Sequence, residues 1–337
     1  MNRNTGLTMA LIICAAILVA AAGQALFRVI GSLGYRYHDA GKYTAGEVTI
    51  KKPVKNLDID WADGSVTIAY HAKDTVEITE TAPKKLSETE SLHWWLDGST
   101  LHIRHTGSGF LTHRSLNKAL TVTLPEGSVL ESLEISASSA DVRVPALQAD
   151  SIVTDLTSGD LTLVQSGTSR QIELSSTSGE ICATLEDGKT LILNSTSGTI
   201  DLKQTGTTDK VKLTTTSGQI QLVLEEATAL DITSTSGDIR VEGEAVEKAE
   251  IGSTSGTISL DLAAFQDLRI SATSGDVTLA LPSKPGFSAE IETSSGSFDS
   301  AIALKREGGD YSCGSGHADL RISTTSGDIR LLEASDG

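Results

Sequence analysis

Four histidines, His93, His102, His105 and His113, fall within 21 residues of chain, and Trp94 and Trp95 stand beside the first of them. Imidazole is a common ligand for transition metals, so metal binding is the first chemistry to weigh. Structural zinc sites pair Cys and His at short fixed spacings. No cysteine lies in this stretch and the histidine spacing fits no such pattern, so it reads as a solvated hairpin without metal. Neighbouring residues of a strand face opposite sides. One of Trp94 and Trp95 should therefore pack inward, leaving the other to meet a sugar ring, a membrane surface or the end of the fold. Trp94, Trp95, His102 and His105 are the candidate interaction residues.

A second set of chemical residues is acidic. Asp160, Glu180, Asp238, Asp276 and Asp328 each follow a glycine. A calcium-binding array would need carboxylates in nearly every repeat and a Gly-Gly-x-Gly-x-Asp nonapeptide. Thr199, Gln219, Thr257 and Ser297 interrupt the row, and the nonapeptide is missing, so the row reads as an acidic ridge. Catalysis finds no constellation. The outward positions Thr162, Cys182, Asp201, Gln221, Arg240, Ser259, Thr278 and Arg330 are chemically mixed, with neither a nucleophile elbow nor a phosphate loop. The expectation is a protein that is not an enzyme and has no cofactor.

The elements that carry these residues are announced by a Thr-Ser-Gly corner. Its Ser-Gly pairs are Ser158-Gly159, Ser178-Gly179, Ser197-Gly198, Ser217-Gly218, Ser236-Gly237, Ser255-Gly256, Ser274-Gly275 and Ser295-Gly296, spaced 19 to 21 residues apart, then Ser326-Gly327 after a longer gap. Fixed self-similarity at this period marks a solenoid. Apolar residues alternate with polar ones before each corner (Leu191, Leu193) and after it (Ile200, Leu202), which defines strands with one buried face. Glycine suits a bend that requires positive φ. The serine before it shares the parity of the buried positions, so its hydroxyl is expected inside the bend, with the threonine pointing outward. The fold class is all-β: a parallel β-solenoid, by the crossover rule a right-handed β-helix, of about ten coils of 19–21 residues and roughly 50 Å long. An N-terminal transmembrane helix and a β-hairpin-type insertion complete it.

Composition sets the surroundings. The formal net charge of −17, from 44 acidic and 27 basic residues, disfavours nucleic acid and contact with anionic lipid. Residues 6–27 carry no charge, and Leu7 to Ala22 is apolar apart from Thr8, long enough with Leu26 and Phe27 to span a bilayer. A cleavable signal peptide is the rival reading. The organisation is an anchor at 1–30, a linker at 31–45, a degenerate coil at 46–70, an antiparallel β insertion at 71–130 and repeats at 131–333. Lysines and arginines after the span argue for a cytoplasmic rod, whereas one N-terminal span ahead of a Ser/Thr/Gly-rich rod is the layout of an exported domain. The latter is adopted: a single-pass cell-membrane protein with an extracytoplasmic solenoid. Of the three cysteines, Cys14 falls in the span, and Cys182 and Cys313 are many coils apart, so no bridge is expected.

The segments Thr235-Ser236-Gly237-Asp238-Ile239-Arg240-Val241 and Thr325-Ser326-Gly327-Asp328-Ile329-Arg330-Leu331 resemble the bacterial putative-adhesin β-strand-repeat family. The resemblance runs from Val48 to Leu332 outside the insertion. It implies a membrane-anchored envelope protein and supplies no catalytic residues. The expected partners are the membrane, through the N-terminal helix, and an envelope protein or polysaccharide. Two alternatives stand beside this reading: a scaffold that self-associates through its solenoid ends, and an accessory sensor of envelope stress.

Overall fold

The computed structural model describes residues 36–109, 115–282, 286–314 and 317–334. After a single 3-10 turn at Ala40–Lys42, the N-terminal part forms β1 (Thr44–Ala45), β2 (Val48–Ile50), β3 (Asn56–His71), β4 (Val76–Thr81), β5 (His93–Asp97), β6 (Thr100–Arg104) and β7 (Lys118–Pro125). The repeats form β8 (Val129–Ser158), β9 (Leu161–Ser176), β10 (Ile181–Ser195), β11 (Ile200–Thr215), β12 (Ile220–Ser234), β13 (Ile239–Ser255), β14 (Ile258–Ser274) and β15 (Val277–Leu281). The C-terminal end forms β16 (Phe287–Ser295), β17 (Phe298–Ser300), β18 (Lys305–Glu307), β19 (Asp310–Cys313), β20 (Ala318–Ser326) and β21 (Ile329–Glu333).

These strands stack in parallel with their apolar residues in columns. One column runs Leu120, Val66, Val142, Leu161, Ile181, Ile200, Ile220, Ile239, Ile258, Val277, Ile329 and Phe298, each in register with the next. Alternation is the cause. In β10, Ile181, Ala183, Leu185, Leu191 and Leu193 are buried while Cys182, Glu186 and Lys189 face water. The column has twelve rungs rather than about ten, which at ~4.8 Å per step gives a rod of about 53 Å.

Spatial order departs from chain order at both ends. β3 lies between the rung made by β6 and β7 and the start of β8, although β6 and β7 come later in the chain. The antiparallel insertion expected over 71–130 is thereby corrected: Leu101, Ile103, Leu120 and Leu124 belong to parallel strands that complete an outer rung. At this end antiparallel pairing joins β4 to β7, β5 to β6, and the short β1 and β2 to β5 and β4. At the other end β20 and β21 sit between β14–β15 and β16–β17. The 31-residue gap between Gly296 and Gly327 is this detour. The chain builds the outermost rung first, crosses it with the β18–β19 hairpin, and returns inside.

The corner differs from expectation in two respects. Ser178, Ser197, Ser217, Ser236, Ser255, Ser274, Ser295 and Ser326 are exposed, and Ser158 is half-buried. The hydroxyl inside the bend comes from three residues before the glycine. The Gly198 N–H donates to Ser195 Oγ at 2.8 Å and Ser195 Oγ donates to the Gly198 carbonyl at 2.8 Å, with Ser234 repeating the pair at Gly237. Ser176 and Thr215 accept from Gly179 and Gly218. Period-two burial simply continues to that position before the bend breaks it. Glycine is also demanded for another reason. Among the corner glycines only Gly159, Gly256 and Gly275 have positive φ. A Cβ at Gly179, Gly198, Gly218 or Gly237 would lie 1.7 to 1.9 Å from the carbonyl oxygen of the glycine one rung below. Close approach of stacked backbone, rather than handedness, excludes a side chain.

Candidate functional site

Side-chain chemistry collects at the N-terminal end of the rod, where β5 and β6 flank the outermost rung. Alternation along β5 turns Trp94 toward the core, against which it packs half-buried, and Trp95 to the opposite side. Trp95 is not bare. Its ring stacks on His102 (centroids 5.1 Å, 21° apart), meets Tyr43 edge-on at 5.7 Å and lies under Lys42 Nζ at 4.5 Å. Tyr37 stands 4.6 Å from Tyr43. Pairing of β1 with β5 (Thr44 opposite Trp94) lays residues 37–45 over this patch.

Asp58 on β3 organises the patch from below. Its carboxylate accepts from Arg104 Nη1 and Nη2 at 3.0 and 2.6 Å and faces His102 Nδ1 at 2.5 Å. Burial pushes the Asp58 carboxyl up, but the Arg104 and His102 contacts prevail and hold it below the usual range. Burial raises the hydroxyls of Tyr37 and Tyr43. The patch is thus a ring-and-cation surface in which Lys42 is paired with Asp39 and Arg104 with Asp58.

His105 belongs to a different group, buried beneath the end of the rod. It is 2% exposed, edge-on to Trp61 at 4.6 Å, with Nε2 3.3 Å from Asp63 Oδ1. Desolvation, reinforced by the Lys118 charge and opposed by Asp63, pushes its imidazole down to about 3. Lys118 occupies the base of the glycine column, opposite Gly64. Its fully buried ammonium pairs with Glu80 Oε2 at 2.9 Å, donates to the Glu90 carbonyl at 2.8 Å and to the His105 carbonyl, and lies 4.9 Å over Trp61. His105 is therefore a core residue rather than an interaction residue. His93 is held by the Ser91 carbonyl at 3.0 Å, and His113 lies outside the described residues.

Elsewhere the acids after the corners have a structural task. Asp160 Oδ1 accepts the Glu180 N–H at 3.0 Å, Asp238 that of Thr257 at 2.8 Å, Asp276 that of Asp328 at 2.9 Å, and Asp328 that of Ser297 at 2.9 Å. Each satisfies a backbone donor of the next rung. Among the described residues no three His, Cys, Asp or Glu converge to hold a metal. Cys182 and Cys313 are free thiols, and partial burial raises that of Cys182. No helix among the described residues is long and apolar enough to cross a membrane, and the span expected within residues 6–27 lies outside them.

Of the residues singled out in the sequence, the structure brings Trp95 and His102 together, and it adds Tyr43, Asp58 and Arg104 around them and Lys118 and Glu80 beneath. The available signal was parity: His102 and Arg104 share a strand face, with Trp95 opposite His102 and His93 opposite Arg104, and Asp58 is in register with His102.

This geometry defines a class: an elongated parallel β-solenoid. The Toastrack DUF4097 model matches residues 54–208 and 166–332, most of the chain, and the protein belongs to that family. Among solved structures the chain is similar to a "putative adhesin" from Parabacteroides merdae (17% identity, 71% of this chain and 97% of that one, TM-score 0.49). It is also similar to a "Putative lipid binding protein" from Parabacteroides distasonis (16%, 87% and 98%, TM-score 0.43) and a "putative adhesin" from Bacteroides fragilis (13%, 85% and 96%, TM-score 0.31). Such TM-scores mean loose whole-chain superpositions. No curated protein matches the chain significantly.

Proposed function

We propose that this protein is a membrane-anchored, non-catalytic envelope component that holds a β-solenoid rod for contact with another envelope protein or polysaccharide. The observation that carries the reading is an asymmetry. The rod's long faces bear mixed polar and charged side chains, whereas the largest ring cluster among the described residues, Tyr37, Tyr43, Trp95 and His102 with Lys42 over Trp95, gathers at the end where the chain enters from its uncharged segment, residues 6–27; the far end holds Phe298 and Tyr311 with Arg306. That arrangement suits a stalk fixed at one end and presented along its length. The anchor, the extracytoplasmic side and the absence of catalysis are parts of this proposal. Protease shaving of intact cells carrying a C-terminal epitope tag tests it. Loss of the tag with a cytoplasmic control spared is expected; survival of the tag until lysis would reverse the orientation and refute envelope presentation.

A second reading, self-association through the ends, has one observation in its favour. β17 pairs with β21 along one edge, and its other edge has no strand partner among the described residues. Concentration-dependent filaments of the full chain under the electron microscope would support it, and monomers at all concentrations would dismiss it.

A further inference from the structure

The two ends of the rod are finished differently. At the N-terminal end the outermost rung is sealed, because β4 pairs with β7 over residues 119–123 and β5 pairs along the whole of β6. The core residues of that rung, Leu101, Ile103, Leu120 and Val122, are fully buried. At the C-terminal end the outermost rung is β16–β17, and its cover is partial. β19 pairs only with residues 287–289 of β16. Beyond them, residues 290–295 and all of β17 have a strand on their inner side alone among the described residues. The apolar columns run out at the same place. Ile270, Ile322 and Ile291 stack in register, as do Val277, Ile329 and Phe298. The first two members of each column are at most 2% exposed, whereas Ile291 and Phe298, in the last rung, are only partly buried. The β18–β19 hairpin adds Tyr311, edge-on to Phe298 at 5.1 Å, beside this unfinished rung.

A strand with unpaired N–H and C=O groups along one side, and half-covered apolar residues at its core positions, is completed by another extended chain. We infer that the outer edge of β16–β17 is a strand-acceptor site, where an extended segment of a partner protein adds a further rung with apolar side chains over Ile291 and Phe298. The backbone selects this occupant, and charge does not. Glu290 is paired with Arg321 at 3.6 Å and Asp299 is in register with Arg330, while the exposed Glu292 disfavours only an acid placed opposite it. A second copy of this chain fits badly. Antiparallel pairing of two edges centred on residues 290–295 would bring residues 296–298 of each copy to the place where β19 already pairs with residues 287–289 of the other. A parallel stack would need the N-terminal rung, which β4 and β5 seal. The inference gives the envelope-protein contact proposed above a place and a mode; it rests on that reading for the partner and on the edge alone for the site.

The test supplies such a strand at high effective concentration. The full chain is extended after Gly337 by a Gly/Ser linker of about 15 residues and a second copy of residues 321–332, the sequence that pairs with β16–β17 from the inner side. A control carries Ser323→Pro and Thr324→Pro in the added copy, which removes two adjacent N–H donors and so blocks pairing on either of its sides. Amide exchange over residues 290–300 is read by mass spectrometry, and sedimentation reports the oligomeric state. Exchange should slow at least about five-fold in the tethered protein, the worth of one net hydrogen bond, and keep the wild-type rate in the control. Equal exchange in all three proteins overturns the acceptor site. Protection in the unmodified chain that grows with protein concentration gives the edge to a second copy and overturns the partner strand. Protease shaving judges the envelope reading separately: a rod found inside the cell would refute that reading, while slowed exchange in the tethered protein would still uphold the acceptor site.

Discussion

Replacing Gly218 by Ala tests whether the corner column is set by close approach. A Cβ at this position would lie 1.8 Å from the Gly198 carbonyl oxygen and 2.9 Å from Thr215 Oγ1. Carbon and oxygen tolerate about 3.3 Å, so the rungs must part by roughly 1.5 Å where strands are normally ~4.8 Å apart. Gly218 is not a positive-φ residue, so alanine can adopt its backbone and the whole penalty is steric. Parting the rungs weakens the Ser217 N–H to Thr196 carbonyl bond, the Ile200 N–H to Gln219 carbonyl bond and the Gly218 N–H to Thr215 bond, each 2.9 Å. At about 1 kcal/mol each, with loosened packing of Ile200 on Ile220 added, the cost is about 4 kcal/mol. The assay is urea unfolding of the full chain by circular dichroism, with amide exchange at Ile200 and Ile220. A central defect in a stack coupled only through neighbours should also lower the unfolding slope, because the two halves uncouple. Ser217→Ala, one residue away and exposed, should stay within about 0.5 kcal/mol. If Gly218→Ala unfolds at the wild-type midpoint with the wild-type slope, the close-approach argument is wrong.

Other outcomes follow from the same geometry. Ser195→Ala removes both corner bonds to Gly198 and should cost about 1 kcal/mol by urea midpoint, while Ser197→Ala should cost almost nothing; equal effects would restore the serine beside the glycine as the inner hydroxyl. Lys118→Ala strands the buried Glu80 carboxylate and should cost about 3–5 kcal/mol, most of it recovered in Lys118→Met/Glu80→Gln, whereas a double variant no better than the single would deny the pairing. His105 is neutral when folded, with its pKa depressed to about 3 against 6.5 when unfolded. Its contribution is complete above pH 6.5 and lost as pH falls toward about 3, some 2 kcal/mol by about pH 5. Trp61 emission should follow this loss and His105→Gln should abolish it; a pH dependence unchanged in that variant would assign it elsewhere.

The interior rungs were legible because each repeats one period-two pattern, and burial of Leu191 and Leu193 against Ile172 and Leu174 below needs no information beyond it. The ends were not. Leu101, Ile103, Leu120 and Leu124 carry the same alternation in any register, and nothing local distinguishes an antiparallel hairpin from a rung closed below β3. The inner hydroxyl was misplaced by one alternation, because parity was counted backward from the glycine across a bend that breaks parity. At the N-terminal end, Trp95 and His102 stood out by type, but Asp58 and Arg104 acquire meaning only through the β3–β6 register, 46 residues apart in the chain. Lys118 gives no signal by its type or spacing; it is buried because the outermost rung has no glycine beneath it to exclude a side chain.

The crossed order of rungs has a mechanical consequence. In a solenoid wound in chain order, the terminal strand has a neighbour on one side and frays from its free end. Here β20 and β21, last in the chain, are gripped on both sides, by β14–β15 and by β16–β17. The exposed outer rung is tied at both of its chain ends, to β15 and to the β18–β19 hairpin. This end of the stack can therefore not peel by release of its last strands. Truncation before Ala318 makes the difference measurable. A solenoid in chain order would lose one outer rung and leave the rest intact. In this protein the cut removes a filling, strips Leu268, Ile270, Val277 and Leu279 of their upper neighbours, and leaves β16–β17 with nothing to stack on. Amide protection across 258–281 should fall by orders of magnitude, and Phe287, which is fully buried in the intact chain, should become exposed. Unchanged protection of β14 in the truncated chain would mean that the last strands merely cap the rod, and the inserted order would carry no mechanical weight.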